Sequence, residues 1–233
     1  MERYVHLHGR CVVSQERHAA EENGMIRSKS VRRSVLKLAI CLFGAAGVVT
    51  GAHAATTLQN MQAAFNGESN AHARYVAFAA QADKEGYGEV ASLFRAAARA
   101  EEIHAGNHAA VIKAMGASPA ATIGTPEVKS TRENLEAAIK GETYEKDTMY
   151  PEFLKQARAD RAKEAIKSLN FAQTAEVEHA KLYRAALSNL ENLKNSKSVT
   201  YFVCPKCGFT TRELTFAKCP SCFTPKELFD KIA

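Results

Sequence analysis

One pattern of carboxylates and imidazoles occurs twice in this 233-residue chain, and few folds can accommodate the repeat. Residues 60–68, ending in Gly67-Glu68, match residues 134–142, ending in Gly141-Glu142. Further on, Glu101-Glu102-Ile103-His104 matches Glu176-Val177-Glu178-His179. Each half thus carries a lone glutamate and then a Glu-x-x-His, 33 residues later in the first half and 34 in the second. Helical residues three apart share a face, so Glu101 with His104, Glu176 with His179, and Glu142 with Glu145 each point one way. The position matching Glu145 in the first half is Ala71, so the halves offer three and four donors. A single Glu-x-x-His is more often a solvated pair, because glutamate is a common helix former. Two of them in register with two Gly-Glu positions require another explanation. Carboxylates gathered inside a bundle are costly unless a cation compensates them. Oxygen-rich donors with two imidazoles suit iron or manganese.

Helical periodicity frames these donors. Leu58, Met61, Ala64, Phe65, Ala71, Tyr75, Phe78 and Ala79 recur at helical spacing from Thr57 to Glu85. Gly86-Tyr87-Gly88 interrupts the pattern, and a second helix is expected from about Glu89 to Met115. Residues 116–131 hold two prolines and two glycines and read as a long connection. A third helix opens there, with Ser130 or Thr131 as its N-cap, and runs to about Ala159 with a kink at Pro151. A fourth covers roughly 162–193, and 194–198 is a polar linker. Short turns within each pair and a long crossover between pairs predict an all-α, ferritin-like four-helix bundle over residues 55–194. Tyr75 and Tyr150 are candidates to hydrogen-bond the site carboxylates. His53, His72 and His108 have no counterpart in the other half and read as surface residues or supports for the ligands.

The segment 199–233 carries Cys204-Pro205-Lys206-Cys207 and Cys219-Pro220-Ser221-Cys222, two CxxC knuckles separated by 11 residues. That arrangement makes a tetrahedral four-sulfur site. A segment this short has too little core to fold well without its metal. The spacing leaves zinc and iron both open; the neighbouring redox donors favour iron.

Residues 1–54 read as an extension and export signal. Arg32-Arg33 precedes an apolar run from Leu38 to Ala52, and Ala52-His53-Ala54 is a small-x-small cleavage site. The paired arginines suggest a twin-arginine signal, cleavage near Ala54 and a periplasmic product, with an uncleaved membrane anchor as the alternative. Met25 is a possible start, since residues 1–24 match no part of a signal. Residues 1–54 hold eight Lys and Arg against four Asp and Glu, which leaves +2 of the net +6 for the rest. That balance gives no nucleic-acid footprint in the folded part. Cys11 and Cys41 fall in the extension, so all four remaining cysteines belong to the knuckles.

Taken in order, Gly67-Glu68, Glu101-x-x-His104, Gly141-Glu142-x-x-Glu145, Tyr150-Pro151-Glu152-Phe153, Glu176-x-x-His179 and the cysteine pairs resemble the rubrerythrin family over about 57–233. The resemblance implies a ferritin-like di-iron bundle with a C-terminal rubredoxin-like FeS4 domain. The implied activity is reduction of hydrogen peroxide to water, in defence against oxidative stress. It implies that Glu101 and Glu176 bridge two irons, that Glu68 and Glu142 are terminal ligands, and that His179 holds the second iron. The first iron exchanges, on this reading, between Glu145 when oxidised and His104 when reduced. Family members commonly pair head to tail, so a homodimer or higher oligomer is expected, with one subunit's FeS4 centre serving another's di-iron site. The electron donor is left open. Phe223 stands where rubredoxin-like knuckles carry glycine, and export is unusual for the family. Two other readings are an iron-oxidising, ferritin-like protein and a zinc-ribbon interaction module on an inactive bundle.

Overall fold

The computed structural model of the chain describes residues 55–233. The export segment, with Arg32, Arg33, His53 and the Ala54 cleavage site, lies outside the described residues. Helix α1 spans Thr57–Lys84 and α2 spans Gly88–Ala114. Helix α3 spans Thr131–Tyr144, α4 Tyr150–Ala159 and α5 Lys163–Ser188. Capping boxes start α1 and α3: Thr56 pairs with Gln59, and Ser130 pairs with Glu133. Among the described residues, no helix is long and apolar enough to cross a membrane.

The crossover from α2 to α3 has no regular structure of its own, and polar side chains of α1 satisfy its backbone. Gln62 donates to the Ser118 carbonyl (2.7 Å), Asn66 accepts from the Thr122 N–H (2.8 Å), and Asn70 accepts from the Gly124 N–H (2.9 Å).

The expected third helix is two helices joined by a π-helical turn, Glu145–Met149. Here the Tyr150 N–H bonds to the Glu145 carbonyl, five residues back. Pro151 supplies the reason. A proline cannot donate, and its ring collides with the carbonyl four residues earlier, so an α-helix cannot pass through it unaltered. Five residues before Pro151 is Lys146, whose freed carbonyl accepts a hydrogen bond from Gln173 of α5 (3.0 Å). The interruption expected at Pro151 thus takes the form of a one-residue insertion. The same insertion explains the unequal spacing of the repeat. Glu68 and Glu142 are 74 positions apart, whereas Glu101 and Glu176, lying beyond the insertion, are 75 apart.

Two apolar clusters fill the bundle, and the repeated donors lie between them. One gathers Tyr75, Phe78, Phe94, Leu135 and Tyr183; the other gathers Met61, Ile112, Tyr150, Leu154 and Leu169. On α1, Met61 and Ala64 belong to one cluster and Ala71 to the other, with Glu68 between them. Buried Ala91, Ala96, Ala97, Ala98 and Ala100 let α2 approach its neighbours closely.

The tail is a three-stranded antiparallel sheet ordered β2-β1-β3, from Tyr201–Val203 (β1), Thr210–Thr211 (β2) and Asp230–Ile232 (β3). It packs against α2 and α5. Tyr201 and Val203 join the bundle's apolar cluster, Phe171 covers the cysteines, and Arg99 pairs with Asp230 (2.9 Å).

Candidate metal centre

The polar layer brings the repeated donors together from four helical segments. Glu68, Glu101, His104, Glu142, Glu176 and His179 are each fully buried, and Glu145 is nearly so. Glu68, Glu101, His104 and Glu176 offer ligand atoms that all lie within 4.8 Å of one another. So do Glu101, Glu142, Glu176 and His179. Glu101 and Glu176 belong to both groups, which makes the layer a pair of adjacent pockets sharing two carboxylates. Glu145 belongs to neither group, although it lies in the same charged layer beside Arg74.

Each donor is aimed by a second contact. Tyr75 donates to Glu142 Oε1 (2.6 Å), and Tyr150 donates to Glu68 Oε1. The tyrosine of each half thus orients the carboxylate of the other. His104 Nε2–H donates to the carbonyl of Cys207 (3.1 Å), which turns its Nδ1 toward Glu101 Oε2 (2.8 Å) and Glu176 Oε1 (3.0 Å). His179 Nε2–H donates to the Thr210 hydroxyl (3.0 Å), and that hydroxyl in turn donates to the Gly208 carbonyl (2.9 Å). Both imidazoles therefore present Nδ1 to the carboxylates, and both are held from behind by the cysteine tail.

Charge in this layer is unbalanced in a way a cation corrects. Burial, reinforced by the neighbouring carboxylates, pushes the carboxyls of Glu68 and Glu142 well above their ordinary range. Burial followed by Glu142 and Glu176 does the same to Glu145. Burial alone depresses an imidazole, but Glu176 outweighs it and raises His104 and His179 well above theirs. Glu176 is held low because His104 and His179 overcome its burial. Six carboxylate and imidazole atoms of this layer have no hydrogen-bond partner among the described residues: Glu68 Oε2, Glu101 Oε1, Glu142 Oε2, both Glu176 oxygens and His179 Nδ1. Buried oxygens and an imidazole nitrogen converging without donors fit a pair of hard cations, and iron suits that donor set.

The four cysteine sulfurs form the other site. Cys204 and Cys222 Sγ are 3.4 Å apart, and Cys207 and Cys219 Sγ are 3.5 Å apart. Hydrogen bonds from Cys207 and Cys219 hold Cys204 far below the ordinary thiol range, while Cys204 pushes Cys219 up to about 11. One thiolate is thus supported by thiols that a metal converts to thiolates. Gly208 ends the first knuckle at φ +74°, and a Cβ there would lie 2.3 Å from His104 Nε2. Only glycine permits both the turn and the approach to His104. The second knuckle ends in Phe223 at φ +61°, so the departure noted in the sequence is a strained left-handed residue.

Ten of the eleven donors expected from the sequence fall in these groups, Glu145 being the exception, and several of their supports were not legible. His72 is a helix-packing residue, bonded to the Ala98 carbonyl (2.8 Å). His108 is fully buried between Ser168 and Tyr150, and burial pushes its imidazole down to about 3. Thr210 and Ser168 carry no sequence signal, being ordinary hydroxyl residues. Tyr183 could have been found, since it lies seven residues after Glu176, as Tyr75 does after Glu68.

A ferritin-like bundle with two carboxylate–imidazole pockets and an appended four-cysteine site defines the class of protein. The rubrerythrin family profile matches residues 59–187, and this chain belongs to that family. Nigerythrin of Nitratidesulfovibrio vulgaris is 38% identical over 175 residues, covering 75% of this chain and 85% of that one. Rubrerythrin-2 of Clostridium acetobutylicum is 36% identical, covering 75% and 96%. A solved structure of fully reduced, all-ferrous nigerythrin superimposes with a TM-score of 0.71 at 36% identity, covering 79% of this chain and 91% of that one. A bacterioferritin of Desulfovibrio desulfuricans, at 21% identity and TM-score 0.57, shares the fold. The donor sets of a di-iron centre and of a rubredoxin-like iron site are both present in this chain.

Proposed function

We propose that this chain is a peroxidase of oxidative-stress defence, reducing hydrogen peroxide to two waters with two electrons and two protons. The observation that carries this reading is the contact between the two sites. His104 of the carboxylate layer is hydrogen-bonded to the backbone of Cys207, so one peptide carbonyl separates a thiolate ligand from a di-iron ligand. A storage protein has no use for such a connection. The contact is made within a single chain, so electron delivery from another subunit, expected from family resemblance, is not needed to bring the sites together.

Bound iron supplies Lewis acidity and the electrons for O–O cleavage. The chain's own residues do the rest. Glu68, Glu101, His104, Glu142, Glu176 and His179 would hold the two ions, and the four cysteines would hold the third. Tyr75 and Tyr150 fix the rotamers of Glu142 and Glu68, leaving one oxygen of each free toward the ions. Glu145 stands just outside both pockets with its carboxyl raised. We assign to it the holding of a proton and an inward swing that exchanges it with His104, a reading supported by its raised carboxyl in the same buried layer. Apolar clusters on both sides exclude water from the layer.

Reduced protein mixed with peroxide in a stopped-flow spectrometer tests the reading: reoxidation within the mixing time course and consumption of one peroxide per di-iron site are expected. Iron accumulating to hundreds of atoms per chain, or no reaction with peroxide, contradicts it. Substitution E145A should slow peroxide turnover at least about tenfold while leaving most of the iron bound; a wild-type rate removes Glu145 from the mechanism. We also propose, from Arg32-Arg33 and the Ala54 site, that the activity is exported. Mature protein from the periplasm beginning at Ala55 is the expected result, and an intact N-terminus in the cytoplasm the contrary one.

A further inference from the structure

His108 is the one fully buried imidazole among the described residues that takes no part in either donor group. Its contacts form a continuous line. The Ser168 hydroxyl lies 2.8 Å from His108 Nδ1, His108 Nε2 lies 3.2 Å from the Tyr150 hydroxyl, and Tyr150 donates to Glu68 Oε1. Because Tyr150 gives its proton to Glu68, its oxygen accepts from His108 Nε2–H. His108 Nδ1 is then an acceptor, filled by the Ser168 hydroxyl. Every donor in the line points the same way, from Ser168 toward Glu68. The outer end reaches water, since Ser168 lines a surface cleft of about 140 Å³ flanked by the exposed side chains of Glu164 and Lys167.

The repeat provides an internal comparison. At the offset of 75 that relates the halves beyond the insertion, Tyr150, His108 and Ser168 correspond to Tyr75, Tyr183 and Leu93. That side is closed by aromatic rings: Tyr75 and Tyr183 pack 5.6 Å apart and Phe94 lies against both. The Tyr183 hydroxyl has no partner among the described residues, and Leu93 is fully buried. One half of the duplicated architecture is dry, and the other carries polar groups from the cleft to the carboxylates.

We propose that Ser168, His108 and Tyr150 form a proton conduit from the cleft to Glu68, which delivers the protons that peroxide reduction consumes. This rests on the peroxidase reading above. In one passage a cleft water gives a proton to Ser168 Oγ, and the serine's own proton moves to His108 Nδ1. The Nε2–H bond breaks as that proton moves to Tyr150, and the tyrosine's proton moves to Glu68 Oε1. One proton leaves the cleft and one arrives, with no change of oxidation state. Rotation of the two hydroxyls resets Ser168 and Tyr150, a water entering from the cleft takes the Nδ1 proton and gives one to Nε2, and two passages serve one peroxide. His108 and Ser168 are thus positioning and relay residues that do not touch the ions.

Peroxide reoxidation of the reduced, iron-loaded protein, followed in H2O and D2O, tests the conduit. Variant S168A should reoxidise at least about tenfold more slowly, with a larger solvent isotope effect and unchanged iron content and thiolate–iron absorption. S168T, which keeps the hydroxyl, should restore the rate, and H108F should be as slow as S168A, with no further loss in the double variant. Nitrogen-15 NMR of histidine in the zinc-loaded chain should show His108 neutral with its proton on Nε2. Wild-type rates and isotope effects in both single variants overturn the proposal, as does a proton fixed on Nδ1. If unmodified protein fails to react with peroxide, the peroxidase reading falls, and the NMR result still decides the direction of the line.

Discussion

At the scale of single residues, the site is set less by its donors than by what holds them from behind. Gly208 is the sharpest case, because its missing Cβ is the space that His104 Nε2 occupies. Substitution G208A should push the tail away from α2 and break the His104–Cys207 hydrogen bond. Reduction of the di-iron site by way of the four-cysteine centre should then slow, while both sites still bind iron; an unchanged reduction rate would show that the contact is not the route. Phe223 makes the opposite case. A non-glycine residue in the left-handed region costs about 1 kcal/mol, and the ring is exposed, so little packing offsets it. F223G should therefore slow metal loss from the tail to a chelator; equal or faster loss would show that glycine's greater freedom in the unfolded chain outweighs the relieved strain. The donors themselves were legible because Glu-x-x-His has a fixed helical meaning. Thr210 and Ser168 were not, because a hydroxyl acquires its role only from a neighbour distant in sequence.

At the scale of elements, four helices and one crossover were readable from periodicity, and the third helix's N-cap as Ser130 or Thr131, of which the capping box with Glu133 selects Ser130. The π-helical turn was not read, although two signals were present. Pro151 showed that the helix could not continue regularly, and the 33-against-34 spacing showed one extra residue in the second half. Both are consequences of the same insertion, which restores Tyr150 to the register of Tyr75. Its stability depends on Gln173, which satisfies the Lys146 carbonyl. Q173A should destabilise the bundle by about 1 kcal/mol in denaturant unfolding, with the loss confined to the α3–α4 junction in hydrogen exchange. No change in either would mean that solvent satisfies that carbonyl equally well.

At the scale of the whole molecule, a buried carboxylate layer makes folding and metal binding one problem. In the metal-free chain Glu68, Glu142, Glu145, His104 and His179 are all raised, so they favour the folded state while protonated. That contribution is full below the unfolded carboxyl value near 4.5 and is lost as pH rises through the raised values. Glu101, Glu176 and His108 are lowered and act in the opposite sense; the two carboxyls have no further effect above their unfolded value, so between pH 5 and 8 His108 alone opposes the five raised groups. Metal-free protein should therefore melt at a lower temperature at pH 8 than at pH 5, and iron should remove most of that difference. Equal melting temperatures without metal would contradict the charge description. Iron binding near neutral pH should also release protons, measurable by calorimetry in buffers of different ionisation enthalpy. The docking of the tail onto its own bundle was beyond sequence reasoning, because nothing in a polar linker states which surface the next segment meets. That docking can be tested by mixing a chain lacking the cysteines with one lacking the carboxylate donors. Delivery within one chain predicts no recovered activity.

The central claim is that six buried side chains of the bundle, with four cysteines, hold three metal ions in two environments. Mössbauer spectroscopy of the chain loaded with iron-57 tests it most directly. The expected spectrum has about two parts exchange-coupled oxygen- and nitrogen-ligated iron to one part tetrahedral thiolate iron. Thiolate iron alone, with no coupled pair, would contradict the claim.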